Sequence, residues 1–263
     1  MNQKPDEKFF QEAIDYLTPV IKQAGKIALE SWDKIEIYKQ KDARDIATKA
    51  DIEIESFIKE KIQTKWSEHG FWGEEGEKIN PNSSFQWLID PIDGTKFYAS
   101  LAPFFQTYIT LVYEGIPVLG LIYNPLSFQL FSAYQGAGAY LNREKIVLKE
   151  PVSLKDAIIN IDFGGLIGKN EPEKKWMLDK LSQIAEKSYR IRIIAGALSV
   201  YIVTGTIDAY IDLGNSKPQD LAARIIIMQE AGFKIEKIKT DFGEKMIVAR
   251  EPIFSEIKEI LLN

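Results

Sequence analysis

The chain has 263 residues, 45% of them hydrophobic, so it is long enough to bury a sizeable core. Its formal net charge of −5 at pH 7 argues against a general nucleic-acid or membrane binder, because phosphate backbones and anionic lipids select for basic surfaces. With no cysteine and one histidine, the sequence excludes disulfides and thiolate nucleophiles and removes most routes to a Ser/His/Asp triad, so chemistry must rest on carboxylates, hydroxyls and lysines.

The N-terminal segment and the lack of cysteine predict a cytoplasmic protein. Residues 1–8 lack the apolar core of a secretory signal, and no apolar run of about 18 residues occurs later. The absence of cysteine suits a reducing compartment. We therefore expect neither a membrane nor a nucleic acid as a partner.

Apolar residues at helical spacing predict two helices near the start of the chain. The first covers about residues 7–32 and contains Pro19, which predicts either a kink or a junction between two helices, with Thr18 as a possible cap. The second has its apolar face over residues 54–66. Asp51 lies at its start, where a carboxylate caps the helix and favours its dipole.

The central motif of the chain is Trp87-Leu-Ile-Asp-Pro-Ile-Asp-Gly-Thr95. Its apolar start predicts a short buried strand that ends at Asp90, since Pro91 cannot extend the ladder. Asp93 is expected to cap a following helix near Gly94, whose first backbone N–H groups could hold a phosphate. Two acids on one tight turn repel each other, so this arrangement predicts Mg²⁺ between protein and substrate phosphate. A bare D-x-x-D more often marks a capped turn with two solvated acids, but the full string is far more specific than that.

Several further elements follow in order. β-rich runs separated by turn residues predict an antiparallel meander over residues 106–113, 116–123, 129–133 and 138–141. The second half predicts a strand near residues 157–161, a helix over 172–187, a buried strand over 207–211 and a helix over 218–232.

Residues 90–95, D-P-I-D-G-T, preceded by Trp-Leu-Ile and followed by Tyr98, resemble the signature of the inositol monophosphatase family. Residues 136–142 resemble its G-x-G-A-x-x-N segment, and the likeness covers about residues 10–250. This family contains lithium-sensitive, Mg²⁺-dependent phosphomonoesterases related to fructose-1,6-bisphosphatase. The resemblance implies an α/β (α+β) fold of layered αβαβα type, with a largely antiparallel N-terminal sheet and a second C-terminal sheet.

The same resemblance implies one phosphatase domain over residues 1–263. Its approximate halves are residues 1–150 and 151–263, with the active site at their junction. It also implies a homodimer, a small phosphate monoester as the substrate, and two or three Mg²⁺ ions in each site.

Acids in four segments match the family's metal-site residues. The D-x-x-T-x-A-D segment resembles one whose final acid hydrogen-bonds the motif threonine, so Asp51 is expected to orient Thr95. Glu74 matches the first acid of a G-E-E segment, although an acidic surface turn is an equal alternative. Asp220 matches the acid of a W-D-x-A-A segment, although a first-turn acid can be purely structural. The implied metal ligands are Glu74, Asp90, the carbonyl of Ile92, Asp93 and Asp220.

The resemblance implies hydrolysis by a metal-activated water that attacks phosphorus in line. The expected catalytic residues are Glu74, Thr95 and Asp51. The expected substrate-binding residues are Asp93, Gly94, Thr95, Ala195, Gly196 and Lys217.

Three positions depart from the family pattern. Gln219 replaces a bulky residue, Leu213 replaces an acid that contacts inositol, and residues 194–198 lack the usual leading glycine. The reaction is therefore better supported than the substrate. Alternatives are fructose-1,6-bisphosphatase, histidinol-phosphatase or 3'(2'),5'-bisphosphate nucleotidase activity, or a regulatory binding protein of the same fold, since some bacterial members contact the transcription machinery.

Overall fold

The computed structural model describes residues 4–40, 46–74, 76, 78–164, 166, 169–194, 196–214 and 218–263, with the backbone alone at 40, 197 and 218–220. Residue contacts divide the chain into two compact units. The first comprises Met1–Lys145 and Pro218–Ile227, and the second comprises Ile146–Lys217 and Met228–Asn263.

The first unit begins with α1 over Glu7–Glu30 and α2 over Lys49–Lys65. Of the two predicted outcomes at Pro19, a junction between helices is excluded, because α1 is one continuous helix whose apolar face is buried on both sides of the proline. Thr18 is not a cap: its hydroxyl donates to the Ile14 carbonyl at 2.7 Å inside the helix. Between the helices, β1 (Ile37–Gln40) and β2 (Ile46–Thr48) pair antiparallel.

In the described part of the first unit, seven strands form one sheet in the order β3-β4-β5-β6-β7-β8-β9. β3 is parallel to β4 and every later pair is antiparallel, so the predicted meander is confirmed. The strands are β3 (Gly70–Trp72), β4 (Phe85–Asp93), β5 (Gln106–Tyr113), β6 (Ile116–Asn124), β7 (Gln129–Tyr134), β8 (Gly138–Leu141) and β9 (Glu144–Lys145), and the short helix α3 (Thr95–Ala99) follows β4.

The prediction that the central strand ends at Asp90 is wrong, because β4 continues through Pro91 to Asp93. The pairing with β5 is interrupted between Asp90 and Asp93, so Pro91 lies where no ladder N–H is required. The carbonyl of Pro91 accepts a hydrogen bond from the Thr107 hydroxyl at 2.8 Å. A side chain on the neighbouring strand thus replaces the missing ladder contact.

The second unit is built on a mixed sheet. Its described strands follow the order β11-β10-β12-β14-β13, with β10, β11 and β12 parallel and β13 and β14 antiparallel to their neighbours. These strands are β10 (Ile158–Asp162), β11 (Arg190–Arg192), β12 (Ala209–Asp212), β13 (Lys234–Thr240) and β14 (Gly243–Ala249).

Three further α-helices lie in the described chain: α4 (Glu171–Lys187), α5 (Pro218–Glu230) and α6 (Ile253–Leu262), with short 3₁₀ helices over Leu154–Asp156 and Gly196–Thr204. The predicted strands at 157–161 and 207–211 and the predicted helices at 172–187 and 218–232 are confirmed with small shifts of their ends. The mixed α/β class, with a largely antiparallel N-terminal sheet and a second C-terminal sheet, is also confirmed. None of the helices in the described ranges has the length and apolar character needed to cross a membrane.

The two faces of the first sheet pack against different helices. On one face, side chains from β4, β5 and β6 join the buried residues of α1 and α2 in one apolar cluster. On the other face, Leu88 and Val112 pack against Ala222 in the first turns of α5. A Cβ on Gly120 would lie 2.6 Å from Ile226 Cγ2, so only glycine lets α5 approach the sheet this closely. We call these the apolar face and the α5 face.

Candidate active site

The predicted metal-binding acids lie at the carboxyl end of the parallel pair β3 and β4. The register pairs Trp72, the last residue of β3, with Leu88, so the loop that carries Glu74 leaves β3 two residues before the level of Asp90 on β4. Leu88 belongs to an apolar cluster with Val112 and Ala222 of α5, and Trp72 packs against that cluster. Because Asp220 and Ala222 both lie near the start of α5, this end of the sheet collects the segments that carry the proposed acids.

Asp90 and Asp93 are linked by residues of β5. Asp90 is 3% exposed, and Tyr108 lies directly opposite it on β5. The Tyr108 hydroxyl donates to Asp93 Oδ2 and lies 3.2 Å from Gln106 Oε1. Burial, followed by the charge of Asp93, raises the pKa of Tyr108 well above its usual value, while the cation of Arg224 acts in the opposite direction. Tyr108 therefore keeps its proton and remains a donor.

The turn after Asp93 depends on Gly94. Its φ of 89° is left-handed, and a Cβ there would lie 2.4 Å from the carbonyl oxygen of Phe104, so any other residue would be strained. The N-cap residue of α3 is Gly94, which has no side chain to cap the helix. The prediction that Asp93 caps it is therefore wrong. The Asp93 carboxylate accepts from Tyr108 instead.

The Thr95 hydroxyl, predicted to bond with Asp51, has a backbone carbonyl as its recorded partner. The single proton of the Thr95 hydroxyl goes to the Ile92 carbonyl at 2.8 Å, three residues back along the chain. Asp51 Oδ2 accepts from the backbone N–H and the hydroxyl of Thr48, at 2.8 and 2.6 Å, and so completes a capping box at the start of α2. Asp51 still lies near α3, since its charge adds to burial in raising the pKa of Tyr98.

Glu74 lies half-buried on a loop held against α2. A Cβ on Gly73 would be 2.2 Å from the carboxyl carbon of Glu55, and one on Gly76 would be 2.6 Å from Glu55 Oε1. The buried Glu55 carboxylate thus lies directly under the loop backbone. Both glycines are needed for this close approach.

The remaining predicted residues are described only in part. Asp220 lies in the first turn of α5, where the structure describes its backbone but not its side chain. Gly196 begins a 3₁₀ helix over Gly196–Thr204 in the second unit. Ala195 and Lys217 lie outside the described residues.

Sequence reasoning missed a set of buried polar residues on the α5 face. Gln106, Tyr108 and Thr110 alternate along β5, and Arg224 interrupts an apolar run in α5. All four are buried. The signal for Gln106, Tyr108 and Thr110 in the sequence was their period of two along β5. In the structure, Tyr108 pairs with Asp90 across the sheet.

The chemistry of the donor set fits Mg²⁺. Every proposed ligand is a carboxylate or carbonyl oxygen, and such hard donors are the ligands that Mg²⁺ prefers. Among the side chains that the structure describes, however, no three acidic or histidine residues lie close enough to form a metal cluster, and the Asp220 side chain is outside that set. The expected grouping of Glu74 with both aspartates is thus not seen, and Asp93 is turned towards Tyr108.

Comparison with known proteins identifies the fold and the family. The model of the inositol monophosphatase family matches residues 10–261.

The chain belongs to the inositol monophosphatase family.

Two curated relatives support this assignment. The chain is 31% identical over 228 residues to inositol-1-monophosphatase of Synechocystis sp., covering 84% of this chain and 77% of the relative. It is 32% identical over 222 residues to Nus factor SuhB of Xylella fastidiosa, covering 84% and 80%.

A solved structure described as IMPase/NADP phosphatase complexed with Mg²⁺ and phosphate has the same fold. It superposes with a TM-score of 0.80 at 22% identity, covering 95% of each chain. As a member of the inositol monophosphatase family, the present chain is a phosphoric monoester hydrolase.

Proposed function

We propose that the chain is a Mg²⁺-dependent phosphatase that hydrolyses small phosphate monoesters with water as the nucleophile. The observation that carries this proposal is the grouping of Asp90, Asp93 and the Ile92 carbonyl at the end of β4, beside the Glu74 loop and under α5. Asp90 is buried and Asp93 half-buried, and a divalent ion together with a phosphate ester needs such oxygen donors. That the relative of the same fold binds Mg²⁺ and phosphate agrees with this proposal.

Each residue has a proposed role. When bound, Mg²⁺ would neutralise the phosphate ester and lower the pKa of the attacking water. Because the Thr95 hydroxyl donates its hydrogen bond to the Ile92 carbonyl, its oxygen can accept a hydrogen bond from that water and orient it. Asp51 would keep α2 beside α3 and so act on Thr95 indirectly. The proposed ligands of two or three Mg²⁺ ions are Glu74, Asp90, the Ile92 carbonyl, Asp93 and Asp220.

Substrate selection is proposed to be broad. Leu213 occupies the position where an acid would contact inositol, and it is fully buried in the apolar core of the second unit. A site that lacks the polar group for a substrate hydroxyl discriminates less between polyols. Asp93, Gly94, Thr95, Ala195 and Gly196 are proposed to contact the substrate, with Lys217 meeting a second anionic group.

The reaction is tested by phosphate release from a panel of monoesters, with the protein stripped by EDTA and then supplied with Mg²⁺. We expect activity only with Mg²⁺ and on several sugar or polyol phosphates. Equal activity in EDTA would contradict the metal dependence.

The substrate is tested by kcat/KM for inositol 1-phosphate and for fructose 1,6-bisphosphate, in wild type and in Lys217→Ala. We expect no strong preference for inositol phosphate in wild type, and a selective loss on the bisphosphate in the variant. A strong wild-type preference for inositol phosphate that the variant keeps would overturn the proposed breadth.

A second candidate function is regulatory binding, because one relative is named as a Nus factor. The presence of Glu74, Asp90, Asp93, Thr95 and Asp220 together favours catalysis, since a pure binding role needs no such set. We further propose that the protein acts in the cytoplasm as a homodimer. Sedimentation of the purified protein would test the dimer, and a single species of about 30 kDa, the mass of one chain, would exclude it.

A further inference from the structure

A buried arginine on the α5 face has no role in the proposed metal set. Arg224 is 2% exposed and lies one helical turn after Asp220 in α5. A guanidinium stays charged at every accessible pH, so burial does not neutralise it. It is therefore stable in the interior only if anionic groups compensate its charge. The question is which acids do so.

Tyr108 connects this cation to the proposed metal-binding acids. The guanidinium carbon of Arg224 is 5.8 Å from the centre of the Tyr108 ring. Tyr108 is paired with Asp90 in the register of β4 and β5, and its hydroxyl donates to Asp93. The charges of Asp93, Arg224 and Asp90 all act on the Tyr108 oxygen. Around the buried Tyr108 ring there are thus one buried cation, one buried acid, Asp90, and one half-buried acid, Asp93. We call Arg224, Tyr108, Asp90 and Asp93 the charge layer.

The residues of the charge layer are held in place by the packing of their strands and helix. Tyr108 is fully buried, and its strand is paired on both sides by β4 and β6. Arg224 belongs to the part of α5 that packs directly on Gly120 of the same sheet. A carboxylate that accepts from a fixed hydroxyl loses rotational freedom before any ligand arrives, which lowers the cost of binding.

We propose that Arg224 and Tyr108 are positioning residues of the proposed metal site, in which Arg224 is a permanent counter-cation for Asp90 and Asp93, and the Tyr108 hydroxyl presets the Asp93 carboxylate. The two residues have opposite consequences for Mg²⁺. Arg224 stabilises the acids in the metal-free protein but repels an incoming divalent cation. Tyr108 favours binding because it holds a ligand in place. The part that concerns Mg²⁺ rests on the proposed function, whereas the charge layer itself does not.

The counter-cation is tested by a double-mutant cycle in EDTA, with thermal melts of wild type, Arg224→Met, Asp93→Asn and the double variant. We expect Arg224→Met to lower Tm by about 5 °C or more, and the double variant to regain about half of that loss or more, because removing the acid relieves the uncompensated charge. If the Tm losses of the two single variants simply add in the double variant, Arg224 contributes only its packing, and the proposal is overturned. If Arg224→Met does not fold, Arg224→Lys replaces it: this variant keeps the charge and should retain most of Tm, and a large loss would contradict us.

The presetting role is tested by calorimetric titration of Mg²⁺ into metal-stripped protein. We expect Tyr108→Phe to weaken binding by about tenfold, and Arg224→Met to tighten it by about tenfold. Tyr123→Phe is the matched control, since Tyr123 is a buried tyrosine of β6 whose ring contacts Gly25 of α1 on the apolar face. It should leave Mg²⁺ binding unchanged.

Two outcomes of the titration would contradict the proposal. Equal effects of Tyr108→Phe and Tyr123→Phe on Mg²⁺ affinity would show that Tyr108 does not preset Asp93. Weaker Mg²⁺ binding by Arg224→Met would show that Arg224 does not act as the counter-cation. If wild type itself binds no Mg²⁺, the proposed metal dependence fails, and the cycle in EDTA alone then decides whether the charge layer exists.

Discussion

The two faces of the seven-stranded sheet have opposite chemistry, although their residues alternate along the same strands. The face that packs against α1 and α2 is formed by apolar side chains such as Trp87, Ile89 and Ile109. The α5 face places Asp90 and Tyr108 at the intervening positions of β4 and β5. Because side chains alternate with a period of two, neighbouring residues of one strand point to opposite faces. One side chain enters the apolar core and the next enters the charged cluster. The apolar face can therefore support polar burial that is unfavourable by itself.

The largest expected effect is on catalysis, from Asp90→Asn on the α5 face. This variant keeps the shape of the side chain but removes a proposed metal-binding charge, so kcat should fall by about 10³-fold or more. The lost repulsion between the acids and the lost compensation of Arg224 have opposite effects, so Tm of the metal-free protein should stay within about 5 °C of wild type. Phosphate release and a thermal melt measure both. Wild-type kcat in the variant would show that Asp90 is not a metal ligand.

On the apolar face the effect should fall on stability instead. Ile109 is fully buried and pairs with Ile89 across the sheet, so Ile109→Ala should lower the free energy of unfolding by about 3 kcal/mol. At a temperature where the variant is folded, its kcat should remain within about twofold of wild type. Urea unfolding and initial rates are the measurements. A loss of kcat as large as that of Asp90→Asn would break the separation between the faces.

Thr95→Ala tests the turn between the two faces. If the Thr95 oxygen orients the attacking water, kcat should fall by about 10²-fold with little change in Mg²⁺ affinity. Asp51→Ala should cost about 1 kcal/mol of stability through the lost capping box, and should also lower kcat if Asp51 supports Thr95 through α2. Rates and melts on both variants separate these roles. An Asp51→Ala protein that loses stability alone would reduce Asp51 to a cap.

The apolar face contains one titratable group that sharpens the comparison through pH. His69 stacks on Phe85, with ring centres 4.5 Å apart, and its Nδ1 accepts from Trp87 Nε1 at 3.0 Å. Burial lowers the pKa of His69 to about 4. The unfolded chain, with a usual histidine pKa of about 6.5, binds more protons between these values, so stability rises with pH there.

The contribution of neutral His69 is complete above about pH 6.5 and is lost as pH falls to about 4; since the ring is partly exposed, the expected loss is about 1–2 kcal/mol. Urea unfolding at several pH values should give a steeper decline for wild type than for His69→Phe, which keeps the stacking. Parallel curves for the two proteins would rule out this role, since other groups titrate equally in both.

The smallest expected effect comes from Thr110→Val on the α5 face. Among the described residues, the buried Thr110 hydroxyl has no hydrogen-bond partner. Valine keeps the shape of threonine and removes the uncompensated hydroxyl, so stability should be unchanged or rise by about 1 kcal/mol. A thermal melt is sufficient. A clear loss of stability would show that the hydroxyl makes a contact that valine cannot.

Sequence reasoning located the acids but not their environment. The spacing of Asp90 and Asp93 and the β-rich runs after residue 104 could be interpreted locally, because turn chemistry and strand alternation are short-range signals. The continuation of β4 through Pro91 could not be predicted in this way, because the Pro91 carbonyl bonds to the Thr107 hydroxyl on the next strand. Local patterns carry no information about such cross-strand partners.

The same limit applies to the candidate site. The proton of Thr95 goes to Ile92 because of the left-handed turn at Gly94, a geometry that a pattern match does not contain. Arg224 and Tyr108 are 116 positions apart in the numbering and meet only through the packing of α5 on the sheet. Polar residues inside apolar runs are therefore worth checking against the register before they are dismissed.

The most direct test of the α5 face as a metal-dependent site is calorimetric titration of Mg²⁺ into metal-stripped wild type and Asp90→Asn. We predict saturable binding by wild type, and affinity reduced by about tenfold or more in the variant, because one charged oxygen ligand is lost. Equal binding by the two proteins, or none by wild type, would contradict the assignment of this face.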